Sequence, residues 1–318
     1  METQITKDNI EKKKIYKYNS ISLNKRMDRI SESKTAAIYL LPSLILIFLT
    51  IVFPIIYSFI MSLTNVKFKA GILDFEFVGL DNYLKILSDQ RIQNILTNTV
   101  VFTVISVLGT VIIAFAIALS IHHGVWGSWL FKRLFLIPWA LSNVVNALMW
   151  QWMYSASNGI FNYILMKLHI IDEYKMWLTE QSTAMGAIIL ADIWKSTPFA
   201  ALLILAALQS VPKELYDASK VDGAGTIEQF KSIVLPTIKP VLFVVMVTQT
   251  MWTLRVFDII SVLTKGGPVD STMVLNVYAY DQSFRYINLG YGSALAWLIT
   301  IITLIITIFY LKILGKEN

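Results

Sequence analysis

The 318-residue sequence contains no cysteine, which excludes disulfides, thiolate metal sites and cysteine nucleophiles. Charge is scarce too: Asp, Glu, Lys and Arg make up 15% of the chain, against about a quarter in an ordinary soluble domain. There are three histidines. His122 and His123 are adjacent, and adjacent positions on a helix do not share a face, so with His169 they make a poor metal site. No Gly-x-x-x-x-Gly-Lys-Ser/Thr stretch occurs, so nothing here would cradle a nucleotide phosphate. Internal repeats, low-complexity segments and a second soluble domain are also missing. The apolar stretches hold no Ser/His pair, His-Glu-x-x-His helix or carboxylate cluster, which speaks against an enzyme.

Apolar surface is what the chain has in excess. Hydrophobic residues reach 56% and the mean hydropathy is +0.61, so lipid is the simplest solvent for the surplus. Nine Trp, 14 Tyr and 17 Phe fit a bilayer, where amphipathic rings concentrate at the water boundary. The net charge of +6 then points to an anionic membrane surface rather than to nucleic acid.

A spanning helix needs about 20 apolar residues, and six stretches qualify. They run from Ala36 to Leu63, Thr97 to Ile121, Leu134 to Tyr154, Ala184 to Leu208, Val241 to Leu263 and Ser293 to Leu311. Pro42 and Pro54 mark bends in the first. The expected fold is an all-α integral membrane protein of six transmembrane helices over 35–318, with a core at about 95–313, behind a basic tail at 1–34. That tail, with Lys12, Lys13, Lys14 and Lys17, is expected to fix topology and rest on anionic lipid. The apolar run behind it is too long for a cleaved signal peptide. Lys and Arg number 17 in the tails and loops on the side of the N-terminus and eight on the other, which puts both termini in the cytoplasm.

The most informative loop is 209–239. Pro212 suits the start of a short helix, and Glu214 and Asp217 follow where the helix dipole favours acids. Ala218 and Ser219 are small enough for close approach, and Gly223 and Gly225 permit a sharp turn. A second short helix with Ile227, Phe230 and Ile233 on one face is expected to stop at Pro236. The loop balances four basic against four acidic residues, which fits a plug for a groove on another protein better than a helix lying on lipid.

This segment resembles the EAA loop of binding-protein-dependent ABC importer permeases, whose pattern is Glu-Ala-Ala, three residues, Gly, nine residues, Ile-x-Leu-Pro. Asp217-Ala218-Ser219, Gly223 and Ile233-Val234-Leu235-Pro236 match it at both spacings; Asp for Glu and Ser for Ala keep charge and small size. The likeness extends along the chain. Phe77-Val78-Gly79-Leu80-Asp81-Asn82-Tyr83, Asn98-Thr99, Trp194 to Phe199, Leu263 to Pro268 with Thr272, and Gly290-Tyr291 are similar to the carbohydrate-uptake group related to the maltose, lactose and glycerol-phosphate systems. The resemblance implies a type I (MetI-like) importer fold in the cell membrane, working by alternating access. It implies a sugar or oligosaccharide as substrate, with glycerol phosphate as the alternative. Its partners would be a second, similar permease, an external solute-binding protein and two copies of a cytoplasmic ATPase that binds the ATP and Mg²⁺. Asp217, Ala218, Ser219, Asp222, Gly223 and Ala224, with Glu214, would form the coupling contact. No cofactor is expected in this chain. A large external domain found in some maltose-type members is missing, since the first external segment has about 33 residues.

Ionisable groups inside a span are costly and face a cavity or a partner. Asp192 and Lys195 lie three apart on one helix, as do Arg255 and Asp258, and each pair can either neutralise itself or line a polar cavity. Asn143, Asn146 and Gln151, Trp194, and Gln249 and Trp252 favour a cavity for a hydroxylated solute, because sugars need hydrogen-bonding groups beside aromatic faces. Trp139 and Trp177 read as interface anchors. Gly266-Gly267-Pro268 marks a tight external turn, either an ordinary loop or a surface for the binding protein. An ion-driven secondary carrier is the rival reading. It would leave the plug unexplained, and it lacks the inverted repeat common in such carriers.

Overall fold

The structure, a computed structural model, describes residues 35, 37–69, 72–122, 124 and 135–314. The basic tail 1–34, the expected start of the third span at Leu134, and Lys132 and Arg133 lie outside the described residues. The chain divides into compact units 1–60 and 61–318.

The first unit contains most of α1 (Ala37–Ser62), which is apolar and exposed nearly throughout, as a helix made for lipid must be. A π turn at Phe48–Val52 widens the backbone just ahead of Pro54.

The second unit opens with a hairpin that the all-helical expectation did not include: β1 (Thr64–Lys69) pairs antiparallel with β2 (Ile72–Phe77), Thr64 opposite Phe77. Its base is fastened by α2 (Asp81–Ser88), where buried Asn82 donates from Nδ2 to the carbonyls of Ser62 (2.9 Å) and Thr64 (3.0 Å). Tyr83 and Ser62 share a hydroxyl bond of 2.7 Å.

The bundle is built from α3 (Gln90–His122), α7 (Gln181–Gln209), α9 (226–254) and α12 (Leu289–Leu314). α3 and α7 pack along each other, and α9 joins both. α9 begins as Thr226–Gln229, passes through a π turn at Phe230–Val234 and continues as Leu235–Leu254. The helix therefore does not stop at Pro236. Proline removes one donor and crowds the carbonyl four residues back, and the π turn opens the helix at that point. At the start of α12, a Cβ on Gly290 would fall 1.9 Å from the Thr64 carbonyl oxygen, so only glycine lets this helix meet the hairpin base.

Two expected spans are not continuous. The third is interrupted at Leu141–Ser142, giving α4 (Ile137–Ala140) and α5 (Asn143–Met153). Leu141 is extended, and Ser142 caps the new helix by accepting the Val145 N–H. A short α6 (Ile160–Lys167) follows. The fifth breaks after Leu254 and restarts as α10 (Asp258–Leu263). Carbonyls freed at this break are taken by Asn276, whose Nδ2 donates to Arg255 (2.9 Å) and Val256 (3.3 Å). Five helices among the described residues are long and apolar enough to cross a membrane, and the broken α4–α5 stretch occupies the place of the sixth.

Two apolar clusters hold the bundle. One joins the N-terminal part of α3 (Ile92, Ile95, Phe102) to α10, α11 (Leu275–Tyr280) and the start of α12. The other joins Ala114, Ala118 and Ile121 of α3 to Leu205 and Leu208 of α7 and Ile238 of α9. Between them lies a belt of buried polar side chains: Thr103, Ser106 and Thr110 on α3, Thr197 on α7, and Gln249, Thr250 and Thr253 on α9. Burying so many polar groups at mid-helix costs stability unless something uses them.

Candidate functional site

At the level of this belt lies a cavity of about 580 Å³. Asn143 and Asn146 on α5, Asp192 and Lys195 on α7, and Trp252, Arg255 and Asp258 around the break in α9–α10 all line it. The two helix breaks build this wall, because each turns a chain end and its polar side chains toward the bundle interior.

Asn143 donates from Nδ2 to Asp258 Oδ2 at 2.8 Å, joining the two broken segments. Lys195 Nζ donates to the Leu141 carbonyl, an acceptor released by the first break. Neither Asp192–Lys195 nor Arg255–Asp258 forms a direct ion pair among the described residues, so neither pair is joined by contact. The spacing argument failed for Arg255 and Asp258 because the helix ends between them: Arg255 is the C-cap of α9 and Asp258 opens α10. Asp192 Oδ2 has no hydrogen-bond partner, and Asn146, with no exposed surface, has none for either polar atom. Such groups cost roughly 1–3 kcal/mol each when left unmet, which suits a wall whose partners arrive with a solute.

The remaining path candidates lie elsewhere. Gln151 donates from Nε2 to the Val262 carbonyl at 3.4 Å, and Trp194 packs edge-on against Trp150. Gln249 is buried in the belt with Nε2 unpartnered. Trp139, expected as an interface anchor, lines the cavity instead and stacks on Phe199 at 5.4 Å; Phe199 meets Trp252 at 5.2 Å. Its place at the end of a broken helix, rather than of a full span, explains the difference. Asn276 was also missed, since only the folded chain brings it to the break.

At one end of the bundle the 209–239 loop forms a helical knob. α8 (Lys213–Val221) follows Pro212, with Glu214 in its first turn. It ends in a Schellman motif: Gly223 N–H bonds the Lys220 carbonyl (3.1 Å) and Ala224 N–H the Ser219 carbonyl (2.9 Å), with Gly223 at φ +79°. Asp222 is the C-cap. Asp217 and Ala218 are exposed, and Ser219 Oγ donates to the Tyr216 carbonyl at 2.8 Å. Val221 and Ile227 stand 88% and 72% exposed at the tip. Tyr216 and Phe230 pack against the Leu205–Leu208 cluster and root the knob in the bundle, and burial raises the Tyr216 phenol above its ordinary pKa.

At the other end, the turn after α10 is tied to α3. Arg91 forms a two-pronged pair with Asp270 (Nε–Oδ2 2.7 Å, Nη2–Oδ1 3.1 Å) and lies over the Tyr278 ring. Asn98 donates to the carbonyls of Asp270 (2.8 Å) and Met273 (3.2 Å), and Thr99 Oγ1 accepts the Leu275 N–H at 2.9 Å. Within the turn, Thr272 donates to the Gly267 carbonyl at 2.6 Å and meets Thr264 at 2.7 Å.

Long apolar helices, a broken-helix cavity at mid-bundle and a helical knob at one end define a membrane permease. The fold agrees with a bacterial ABC transporter involved in the import of the acidic polysaccharide alginate, at a TM-score of 0.77 and 22% identity, over 92% of this chain and 99% of that one. Residues 110–315 match the binding-protein-dependent transport system inner membrane component family, and the chain belongs to that family. It is 40% identical over 286 residues to the trehalose/maltose transport system permease protein MalF of Thermococcus litoralis, covering 89% of this chain and 94% of that protein. It is 36% identical over 283 residues to the sulfoquinovosyl glycerol transport system permease protein SmoG of Agrobacterium fabrum, covering 89% and 91%.

Proposed function

We propose that this chain forms half of the translocation path of an ATP-driven importer for a sugar or oligosaccharide, handed over by an external binding protein. The observation that carries the reading is the mid-bundle cavity, where unpartnered amide and carboxylate atoms stand beside indole rings. Hydroxyls of a saccharide meet the first and its C–H faces the second. The relatives' names support this substrate class, since both concern glycosides. The work of this chain is transport, with ATP and Mg²⁺ held by a separate ATPase present in two copies. A second, similar permease supplies the rest of the path.

Coupling falls to the knob. Glu214, Asp217, Ala218, Ser219, Asp222, Gly223 and Ala224 offer small side chains and an acidic edge, and the exposed Val221 and Ile227 need an apolar surface to cover them. Tyr216 and Phe230 carry movement of the knob into the bundle. With the knob in the cytosol, both termini lie there and the Arg91–Asp270 end faces outward.

Purification in mild detergent should bring down an ATPase chain and a second permease; a chain that runs alone sinks the importer reading. With the assembled complex in liposomes, Trp252→Ala should alter saccharide uptake while the ATPase stays bound. Loss of assembly in that variant would instead place Trp252 at the seam between permeases.

A further inference from the structure

The aromatic rings of the cavity do not end at its wall. Phe257, which lines the cavity, meets Tyr280 at a centroid distance of 4.6 Å, and Tyr280 meets Phe284 at 4.9 Å. Tyr280 closes α11 and Phe284 lies in the π turn at Asp281–Arg285, so the two project four residues apart from one helical stretch. Their exposure rises along the series: Phe257 is half-buried, Tyr280 is 43% exposed and Phe284 is 67% exposed. The Tyr280 hydroxyl has no hydrogen-bond partner among the described residues. On the inner side, Trp252, Phe199 and Trp139 continue at 5.2 and 5.4 Å, with both indoles on the cavity wall.

We propose that Phe284, Tyr280 and Phe257 form an entry track for a linear oligosaccharide, leading from the end of the bundle opposite the knob to the indole-lined cavity. The proposal rests on the saccharide reading of that cavity and adds to it a substrate class and an entrance. The track's steps are close to the advance of one hexose along an extended chain, so successive sugar rings can lie over successive aromatic faces. The free Tyr280 hydroxyl supplies a hydrogen bond midway, which an apolar anchor would not need. Rings that only anchor a helix at the lipid boundary have no reason to run unbroken into a polar cavity. A saccharide that reaches from Phe284 to the cavity has several residues, and a short one never touches the outer rings.

The test uses the complete importer with its binding protein in liposomes and follows uptake of maltose, maltotriose, maltotetraose and maltopentaose. Phe284→Ala and Tyr280→Ala should lower uptake of the two longer probes by up to about tenfold relative to maltose, the equivalent of one aromatic contact. Tyr280→Phe should keep most of the stacking and lose less. Because both side chains are exposed, bound ATPase and basal ATP hydrolysis should match the unmodified complex. Equal losses at every chain length would assign these rings to membrane anchoring or to docking of the binding protein and overturn the track, as would no loss at all. An unmodified complex that moves maltose but none of the longer probes overturns the track and leaves the cavity reading intact. A complex that moves none of the four overturns the track, and the saccharide reading falls with it only if trehalose and other glycosides are not moved either.

Discussion

The two ends of the bundle are built on opposite principles. At the Arg91–Asp270 end, side chains from distant segments close on one another: Asn98 and Thr99 bind the turn after α10, Asn276 holds the break beneath it, and Asn82 fastens the hairpin. At the knob, the side-chain bonds of 213–232 among the described residues are local, such as Ser219 to the Tyr216 carbonyl or Lys220 to Asp217 at 3.6 Å, while Val221 and Ile227 stand in the open. One end satisfies itself, and the other is left for a partner to satisfy. Substitutions at the knob should therefore cost transport without stability, and substitutions at the cross-linked end should cost stability first.

The largest effect is expected at Gly223. Nothing among the described residues lies within 4 Å of where its Cβ would be, so a side chain there starts out in open space. The positive φ itself costs about 1–2 kcal/mol. Gly223→Trp should insert normally yet lose at least about tenfold in ATP-driven uptake, the effect of removing 1.4 kcal/mol or more of docking energy. Gly223→Asn tolerates this backbone and should lose less. Normal uptake by the tryptophan variant would end the coupling role and the comparison with it.

Next comes Asn146, which belongs to neither end. Both of its polar atoms are buried and unpartnered, so Asn146→Leu removes a penalty rather than a bond. Thermal unfolding in detergent should be unchanged or shifted upward, while uptake falls by roughly tenfold, a single lost hydrogen-bonding group. A destabilised variant would mean that Asn146 supports the fold. Asn276→Ala should show the reverse pattern. The carbonyls of Arg255 and Val256 lose their donor, at about 1–3 kcal/mol, and the melting temperature should drop while the ATPase remains bound.

Much of this is legible in the sequence. The apolar runs announce the long helices, and the spacing of Ala218, Ser219 and Gly223 announces a small-residue turn, because the Schellman geometry at Gly223 is a local demand. Of the buried polar belt, the sequence singled out Gln249 alone among the path candidates. What escaped was set by tertiary partners. The break at Leu141–Ser142 has a local cap signal in Ser142, but the apolar run masked it, and Lys195 reaches the freed carbonyl only in the folded bundle. The carbonyls freed by the break after Leu254 are taken by Asn276, some twenty residues further on, and Trp139 changes role because the break at Leu141–Ser142 directs it inward. The hairpin at Thr64–Phe77 is held by Asn82 and by the close approach of Gly290.

The smallest effect expected is also the sharpest check on the cross-linked end. Arg91 and Asp270 are both partly exposed, and exposed pairs contribute only about 0.2–1 kcal/mol even when the geometry is good. Arg91→Met should therefore lower stability slightly, because Asn98 still holds the Asp270 and Met273 carbonyls and Thr99 still holds Leu275. The difference between variant and unmodified protein should shrink as salt rises, since screening weakens the pair in the unmodified protein alone. Removing Asn98 as well should cost more than the two single changes added together, because each then loses the support that masked the other. If Arg91→Met alone released the turn and abolished uptake, the turn would hang on one ion pair, and this end would be as dependent on a single contact as the knob is on its partner.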